Sequence, residues 1–417
     1  MSTVPATQAP PSPAPVWDVI NGFASYWALS AALDLGLFDA LAKDPGTGLD
    51  AGQLTAVTGA AGPGPVTVLA ETLVALDLLT ADEDRFRLTP AAERYLVSTA
   101  PASMAALARY SPGPLAAWPG LAETVRTGAP GPGVPEALTA LYPALVRATG
   151  PTQSGVATAV AAELERRGLW PEEPTVVDLG CGSGAWLTAL LGTRPHARAV
   201  AVDLPNVLPV AEAAAGDAGL GERVTAVAGD YLDTALPVSR ADVVVLAHVL
   251  RAEPPERARR LVARAVELAG TDGVVVVADY WRPDPPATGS ATGEDAGAAS
   301  GDGTGSASGE DAGAASGDGT GSASGDRTGA ASGDGSGTPE DRTPEDRTAV
   351  CAAARHELLL SLTMLASTAG LGVSAADLRT WAEAAGADVT DSFAPVPRQH
   401  IRLIRSRIRS RTPEATS

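Results

Sequence analysis

A carboxylate followed by three alternating glycines is the strongest chemical pattern in this sequence. Asp178 ends a β-branched run, Thr175 to Val177, and glycines follow at positions 180, 182 and 184. Glycines after a strand let the backbone turn sharply and approach a ligand closely, because no Cβ intervenes. A helical pattern comes next, and a helix N-terminus directs its unpaired N–H groups at such a ligand. The spacing Asp-x-Gly-x-Gly-x-Gly differs from the Gly-x-Gly-x-x-Gly of dinucleotide-binding loops.

A second carboxylate, Asp203, ends the next apolar run, which begins at Ala197. It lies nineteen residues after Gly184. An acid at the end of the second strand can accept hydrogen bonds from ribose hydroxyls. The two patterns together predict an α/β fold that binds a nucleoside. The alternative is that these acids only cap helices or close turns.

Five ordered stretches resemble the class I S-adenosylmethionine-dependent methyltransferases, and more narrowly the two-domain small-molecule O-methyltransferases of secondary metabolism. The stretches are Val177–Gly184, Val202–Val207, Gly229–Tyr231, Ala241–Leu250 and Gly273–Asp279. The resemblance extends from about residue 16 to residue 405. It implies an α/β Rossmann-like domain that binds S-adenosyl-L-methionine, preceded by a mostly helical winged-helix domain. It also implies a homodimer formed through that N-terminal domain and a small-molecule substrate.

The resemblance assigns the cofactor-binding residues position by position. Asp178 would lie under the methionine end, Asp203 would take the ribose, and Asp230 would take the adenine amino group while the Tyr231 ring stacks on the base. His248 would pack near the cofactor. The implied set is Asp178, Gly180, Gly182, Gly184, Asp203, Leu204, Gly229, Asp230, Tyr231 and His248. No metal site is expected.

The catalytic half departs from the family pattern. The family carries a histidine base after the fourth strand, in a pattern like Leu-His-Asp-Trp, whereas here Arg251 holds the base position and Glu253 the tryptophan position. Arginine does not deprotonate in proteins, so Arg251 is not a base. His248 lies three residues earlier, and Asp279 ends the fifth strand. The catalytic candidates are therefore Arg251, Asp279, His248 and Glu253.

Three functions remain open from these residues. Methyl transfer would proceed by proximity alone, or with a base such as Asp279, Glu253 or His356. Alternatively, Arg251 would hold an anionic substrate, such as a carboxylate, for O-, N- or C-methylation. In the third case the chain would bind S-adenosylmethionine but catalyse hydroxylation, decarboxylation or cyclisation. We favour O-methylation of a natural-product intermediate.

Residues 16–98 predict a winged helix. Helices are expected over Val16–Leu41, after Asp50 as N-cap, and over Val66–Leu79, followed by a β-wing near 85–90. The third helix contains Glu71 and Asp77 but no Lys or Arg, which argues against DNA binding through this helix. The net charge of −19 also disfavours a nucleic-acid partner.

The remaining organisation follows from composition and pattern. Residues 99–170 are predicted to be a Pro/Gly-rich link followed by a helical stretch. The resemblance implies that these helices bridge the two domains and line the acceptor pocket; Tyr142, Arg147 and Gln153 are candidates to face it, or else are surface groups. The Rossmann-like domain is expected over 171–405, with strands near 175–179, 198–202, 223–227, 242–247, 273–279, 386–393 and 399–405.

Three segments are expected to lie outside the folded domains. The repeats of 287–348 contain no large apolar residue and, like 1–15, are expected to be disordered. Residues 406–417 form a basic tail. Two cysteines, no apolar run of eighteen residues and no basic n-region predict a cytoplasmic protein without a membrane span.

Overall fold

The computed structural model describes residues 12–110, 117–284, 344–396 and 399–407. Its N-terminal part consists of α1 (Ala14–Asp34), α2 (Leu37–Leu41), β1 (Leu49–Asp50), α3 (Ala51–Thr58), α4 (Pro63–Ala75), β2 (Leu79–Asp82), β3 (Arg85–Leu88) and α5 (Pro90–Leu96). The five helices pack around one apolar core and a small antiparallel sheet of order β1-β3-β2. The arrangement is the predicted winged helix.

Local chemistry explains where the N-terminal helices begin and end. Asp50 caps α3 as predicted, and Gln53 completes a capping box. The single helix predicted over Val16–Leu41 is wrong, because Gly36 adopts a left-handed φ of 66° and separates α1 from α2. Helix α4 begins at Pro63, earlier than predicted, because a proline in the first turn needs no N–H partner.

The predicted disorder of 1–15 is corrected at its end. Helix α1 already begins at Ala14, with a proline in its first turn, while residues 1–11 lie outside the described part. Three helices then lead to the larger domain: α6 (Ala105–Tyr110), α7 (Leu121–Thr127) and α8 (Val134–Arg166). Helix α8 is 33 residues long and contains two internal prolines, Pro143 and Pro151.

A seven-stranded sheet forms the larger domain. Its strands are β4 (Thr175–Leu179), β5 (Arg198–Asp203), β6 (Val224–Ala228), β7 (Val243–Ala247), β8 (Val274–Asp279), β11 (Ala387–Val396) and β12 (Gln399–Ser406), in the order β11-β12-β8-β7-β4-β5-β6. Neighbours pair in parallel except for β12, which is antiparallel to both β8 and β11. All seven predicted strands are present. The last strand also takes Ser406 from the predicted basic tail, whose residues 408–417 lie outside the described part.

Helices cover both faces of this sheet, as parallel strands require. One face packs on α8, α9 (Ala185–Gly192) and α10 (Leu208–Asp217). The other packs on α11 (Pro255–Ala269) and α14 (Ala375–Ala384). Successive strand side chains alternate between the faces, so Asp178 shares the α8–α9 face with Val176, and Asp203 shares it with Ala201. The carboxyl ends of β4 to β8 meet at one edge, where β4 and β7 are neighbours.

A pair of short strands and the helix that begins at Pro344 were not predicted. Strands β9 (Trp281–Arg282) and β10 (Val373–Ser374) are each two residues long and pair in parallel. Helix α13 (Arg355–Thr368) precedes β10 in the chain. At the end of the segment 287–348, which is predicted to be disordered, the described residues 344–348 belong to helix α12 (Pro344–Ala353); residues 287–343 lie outside the described part. A proline at the first helical position favours the start of a helix there.

No helix among the described residues is long and apolar enough to cross a membrane.

Candidate functional site

Asp178 is a buried carboxylate without a partner at the end of β4. Its relative exposure is 1%, and neither carboxylate oxygen has a hydrogen bond from any described residue. Burial, with a smaller contribution from the nearby Asp203 carboxylate, raises the pKa of Asp178 to about 8. An unpaired buried carboxylate is costly. The position therefore suits a ligand that brings a cation or strong hydrogen-bond donors.

The loop after Asp178 needs its glycines. Gly180, Gly182 and Gly184 all have φ between 52° and 87°, the left-handed region. A Cβ on Gly180 would come within 2.5 Å of Val249 Cγ1, and one on Gly184 within 3.0 Å of the Ala211 backbone. The loop thus lies closely packed between the segment after β7 and helix α10.

Asp203 fastens this loop to the next one. Its two carboxylate oxygens accept the Gly182 N–H at 2.8 Å and the Leu204 N–H at 2.7 Å. Burial raises its pKa although both N–H groups favour the charged form. Each carboxylate oxygen can accept a further hydrogen bond, so Asp203 can still bind a diol. The Gly229 N–H donates to the Asp203 carbonyl at 2.9 Å, which brings the third loop to the same edge.

Asp230 and Tyr231 belong to a hydrogen-bonded chain with two residues of the segment after β7. The Tyr231 hydroxyl bonds the Glu253 carboxylate, and Arg257 donates to Glu253 at 2.5 Å and to Asp230 at 2.9 Å. The Tyr231 ring also lies beside Gly180. Burial and the Glu253 carboxylate raise the pKa of Tyr231, which keeps its hydroxyl a donor. Glu253 therefore orients the aromatic ring at the cofactor end.

Helix α8 covers the glycine loop. Gly150 lies against Ser183, where an added Cβ would be 3.0 Å from the hydroxyl oxygen. Pro143 has no N–H for the Thr139 carbonyl, which instead accepts the Asn206 side-chain N–H at 2.8 Å. Tyr142, of the same helix, has its pKa raised to about 12 by burial and by the nearby Glu253 and Asp203 carboxylates. It therefore lies within electrostatic reach of the ribose acid.

His248 stands at the end of β7 with both ring nitrogens engaged. It adopts a left-handed φ of 60°, and its backbone N–H donates to the Ala278 carbonyl at 2.7 Å. Nε2 lies 2.8 Å from Gln153 Oε1, and Nδ1 lies 3.2 Å from Arg251 Nη1. An amide oxygen only accepts and a guanidinium only donates, so Nε2 carries the hydrogen and Nδ1 accepts. Burial lowers the pKa of His248, which favours this neutral ring.

Asp279 and Arg251 are held by the same network. Asp279 is fully buried and accepts the backbone N–H groups of Arg251 at 3.2 Å and Tyr280 at 2.9 Å. Arg251 Nη1 lies 3.5 Å from Asp279 Oδ1, and its guanidinium stacks 5.1 Å from the Tyr280 ring centre. Tyr280 in turn packs edge-on against His356, at 5.6 Å between ring centres.

The structure brings the predicted residues into two groups. Asp178, Asp203, Leu204 and the glycines lie together at the ends of β4 to β6, and Asp230, Tyr231 and Glu253 adjoin them. His248, Arg251 and Asp279 form the second group. Of the three helix candidates, Gln153 contacts His248 and Tyr142 lies near the Glu253 and Asp203 carboxylates, but Arg147 is exposed and donates to the Pro143 carbonyl of its own helix.

Sequence reasoning missed two residues of the site. Tyr280 directly follows Asp279 at a strand end, a position that could have identified it. Arg257 lies four residues after Glu253, and an acid–base pair at that spacing was a usable signal, although Glu253 itself precedes α11. No three His, Cys, Asp or Glu side chains in the described ranges lie close enough together to hold a metal ion.

The site fits a nucleoside that carries an amino acid. Asp178 offers an unpaired carboxylate for an ammonium group, Asp203 offers acceptors for ribose hydroxyls, and the glycine loop allows close backbone approach. These features match the S-adenosylmethionine expected from the resemblance.

Comparison with known proteins places the chain among O-methyltransferases. An O-methyltransferase domain model matches residues 162–294, and an O-methyltransferase dimerisation domain model matches residues 17–98. The N,N-dimethyltransferase OxyT of Streptomyces rimosus is 34% identical over 272 residues, which cover 63% of this chain and 76% of OxyT. The aclacinomycin 10-hydroxylase RdmB of Streptomyces purpurascens is 36% identical over 110 residues, which cover 26% of this chain and 29% of RdmB.

Solved structures share the whole fold. Human N-acetylserotonin methyltransferase in complex with S-adenosylmethionine superimposes with a TM-score of 0.67 at 20% identity, covering 96% of this chain and 99% of that one.

Proposed function

Because this chain is a member of the S-adenosylmethionine-dependent O-methyltransferase family of secondary metabolism, we propose that it methylates a small-molecule natural-product intermediate. An oxygen is the acceptor atom that the family model favours. The relative OxyT is an N,N-dimethyltransferase, so nitrogen is the second acceptor atom to test. A nucleic-acid substrate is not part of the proposal, because helix α4 carries no Lys or Arg and the chain has a net charge of −19.

The observation that carries the proposal is the unpaired, buried Asp178 carboxylate beneath the glycine loop. We assign Asp178 to the ammonium group of S-adenosylmethionine and Asp203 with Leu204 to its ribose. Gly180, Gly182, Gly184 and Gly229 would allow the close approach. Asp230 and Tyr231 would hold the adenine, with His248 packed near the cofactor.

In this proposal the chain contributes mainly positioning, and His248 is not the base. The bound sulfonium supplies an already activated methyl group. His248 has no lone pair ready for an acceptor proton, because its Nδ1 accepts from Arg251 and its Nε2 carries the hydrogen. The Glu253 carboxylate is held in place by Tyr231 and Arg257, beside the residues assigned to the adenine. Asp279 is buried and takes two backbone N–H groups. Helix α8 covers the loop and excludes water, and orientation within the cleft then provides the rate enhancement.

His356 is the base that we retain for acceptors that need one. It is exposed at the start of α13 and contacts the Tyr280 ring, which Arg251 also contacts, and its own ring makes no hydrogen bond within the described ranges. An acceptor that enters as an anion would not need it.

A second candidate function rests on the similarity to RdmB, a hydroxylase. In that case the chain would bind S-adenosylmethionine but catalyse hydroxylation, decarboxylation or cyclisation. Because the lone pair of His248 Nδ1 is engaged by Arg251, this ring is not available as a base, which is compatible with a reaction other than methyl transfer. Methyl transfer stays first because the family models and OxyT are methyltransferases.

Calorimetric titration of the purified protein with S-adenosylmethionine, with NAD as control, tests the proposal. We expect saturable binding of the sulfonium alone, and then transfer of a deuterated methyl group to phenolic or amine acceptors, followed by mass spectrometry. Absence of sulfonium binding, or equal binding of NAD, would overturn the cofactor assignment. Binding with turnover of an acceptor but no deuterium in the product would favour the second candidate.

A further inference from the structure

The Arg251 guanidinium makes its contacts through Nη1, whereas its Nε–Nη2 edge, called the open edge below, has no partner among the described residues. Its Nη1 contacts His248 Nδ1 at 3.2 Å and Asp279 Oδ1 at 3.5 Å. Its Nε is buried, and neither Nε nor Nη2 makes a hydrogen bond to any residue that the structure describes. The side chain is 20% exposed, so the open edge belongs to a mostly buried group.

The open edge is the one that recognises carboxylates. Nε–H and Nη2–H are parallel donors in a rigid plane, and together they match the two oxygens of a carboxylate. Leaving a buried guanidinium N–H unpaired is costly, so a partner there is strongly favoured. Asp279 does not fill this role, because it lies on the Nη1 side and its oxygens already accept the Arg251 and Tyr280 backbone N–H groups.

The surroundings hold the guanidinium in a fixed orientation. The Tyr280 ring stacks against it at 5.1 Å, and α13 packs against the turn at 250–252. The Arg251 carbonyl accepts the Gly372 N–H at 3.3 Å, and a Cβ on Gly370 would collide with that carbonyl. Arg251 follows β7, whose carboxyl end lies beside that of β4, and Val249, two residues before Arg251, packs against Gly180 of the glycine loop. Arg251 therefore belongs to the same edge of the sheet as the cofactor residues.

We infer that Arg251 binds the acceptor through a carboxylate on the substrate, by two-point hydrogen bonding to its Nε–Nη2 edge. The substrate class is thus a small organic acid that carries the methylated group near its carboxylate. The inference rests on the proposed function, because it places the acceptor beside the cofactor. A carboxylate here would also be attracted by the cofactor's positive sulfonium.

Salicylate and salicylamide form a matched pair of probes that differ in the carboxylate. We would measure their dissociation constants by tryptophan fluorescence and calorimetry on the full chain saturated with S-adenosylhomocysteine. We expect salicylate to bind on the order of tenfold to a hundredfold more tightly, the range for charge-assisted pairs. Equal affinity of the two probes, or no salicylate binding at its solubility limit, would overturn the inference.

Variants then assign the preference to Arg251. R251Q should remove the preference for salicylate, and R251K should restore only part of it, because an ammonium group cannot offer two parallel donors. R259Q is the matched control: it also removes one positive charge, but Arg259 pairs with Glu256 on the exposed side of α11. Unchanged preference in R251Q would refute the assignment. Binding of S-adenosylhomocysteine is measured first, so its absence would refute the proposed function and not the carboxylate inference alone.

Discussion

Asp178 makes the stability of the protein depend on pH. Its folded-state pKa is about 8, compared with 3.8 for an unperturbed aspartate. Between these values the folded state holds a proton that the unfolded state has lost. Its contribution to stability is therefore fully present below about pH 4 and is lost as the pH rises through about 8. In this window the free energy of unfolding falls by up to about 1.4 kcal/mol per pH unit.

Replacing Asp178 with Asn should remove this dependence. Without ligand, D178N should lose stability less steeply than the wild type between about pH 5 and 8, because its amide does not titrate. Urea unfolding at several pH values measures the difference. D178N should also bind S-adenosylhomocysteine at least roughly tenfold more weakly, since the ammonium group loses a charged partner. Parallel stability profiles for the two proteins would contradict the buried, unpaired state of Asp178.

Glu253 is expected to act on cofactor binding. It was a candidate base, yet its carboxylate holds the Tyr231 hydroxyl and Arg257. E253Q should weaken S-adenosylhomocysteine binding roughly tenfold, because a neutral amide pairs poorly with Arg257 and loosens the Tyr231 ring. Calorimetry measures this effect. E256Q, three residues later in the first turn of α11, is the control, since Glu256 is exposed and pairs only with the surface residue Arg259 among the described residues. A base with no positioning role would leave this affinity unchanged.

At the scale of elements, the strands of the sheet could be predicted from the sequence because their apolar composition differs from that of the segments between them. Strands such as Val243–Ala247 are continuous apolar runs, which parallel strands buried on both faces require. The β9–β10 pair escaped prediction because two residues per strand carry no periodicity. Helix α12 escaped it because its start signals lie within a repeat judged on apolar content alone.

The site was predictable where it follows strand ends, and not where distant segments meet. Asp178 and Asp203 end strands, so their meeting could be foreseen. Gln153 and His248 lie 95 residues apart, and their hydrogen bond depends on how α8 crosses the sheet. The open edge of Arg251 likewise depends on which of its nitrogens His248 and Asp279 occupy, and spacing along the chain does not encode this.

The hydrogen bond between α8 and the loop after β5 allows a mutational test of how these two elements are held together. Asn206 donates to the Thr139 carbonyl, whose ordinary helical donor is missing because residue 143 is proline. N206A should destabilise the protein by about 1 kcal/mol, the typical net value of one hydrogen bond. In a P143A background the same change should cost much less, because an alanine at this position supplies the missing backbone N–H.

A double-mutant cycle on thermal or urea unfolding measures this coupling. The coupling energy between N206A and P143A should be a measurable fraction of about 1 kcal/mol. Additive effects would show that the proline does not create the acceptor for Asn206. N206A should also weaken cofactor binding modestly, because the loop that it anchors carries Asp203 and Leu204.

At the scale of the whole molecule, the dimerisation domain leaves an apolar surface uncovered. Six large apolar side chains of α1 are between 44% and 74% exposed: Val16, Trp17, Val19, Ile20, Phe23 and Trp27. Monomeric proteins rarely expose a contiguous apolar surface of this kind. The O-methyltransferase dimerisation model covers residues 17–98 and thus includes most of this helix. We propose that α1 is buried against a second copy of the chain in a homodimer.

F23E should therefore dissociate the dimer. Phe23 is 73% exposed in the single chain, and a charge there would be buried without a partner in the interface, a cost of several kcal/mol. Light scattering after size exclusion should give twice 41.9 kDa for the wild type and 41.9 kDa for F23E at micromolar concentration. V125E is the control, because Val125 is 63% exposed on α7, outside the dimerisation domain, and should stay dimeric. A monomeric wild type, or an F23E variant that remains dimeric at high dilution, would mean that this surface serves another purpose.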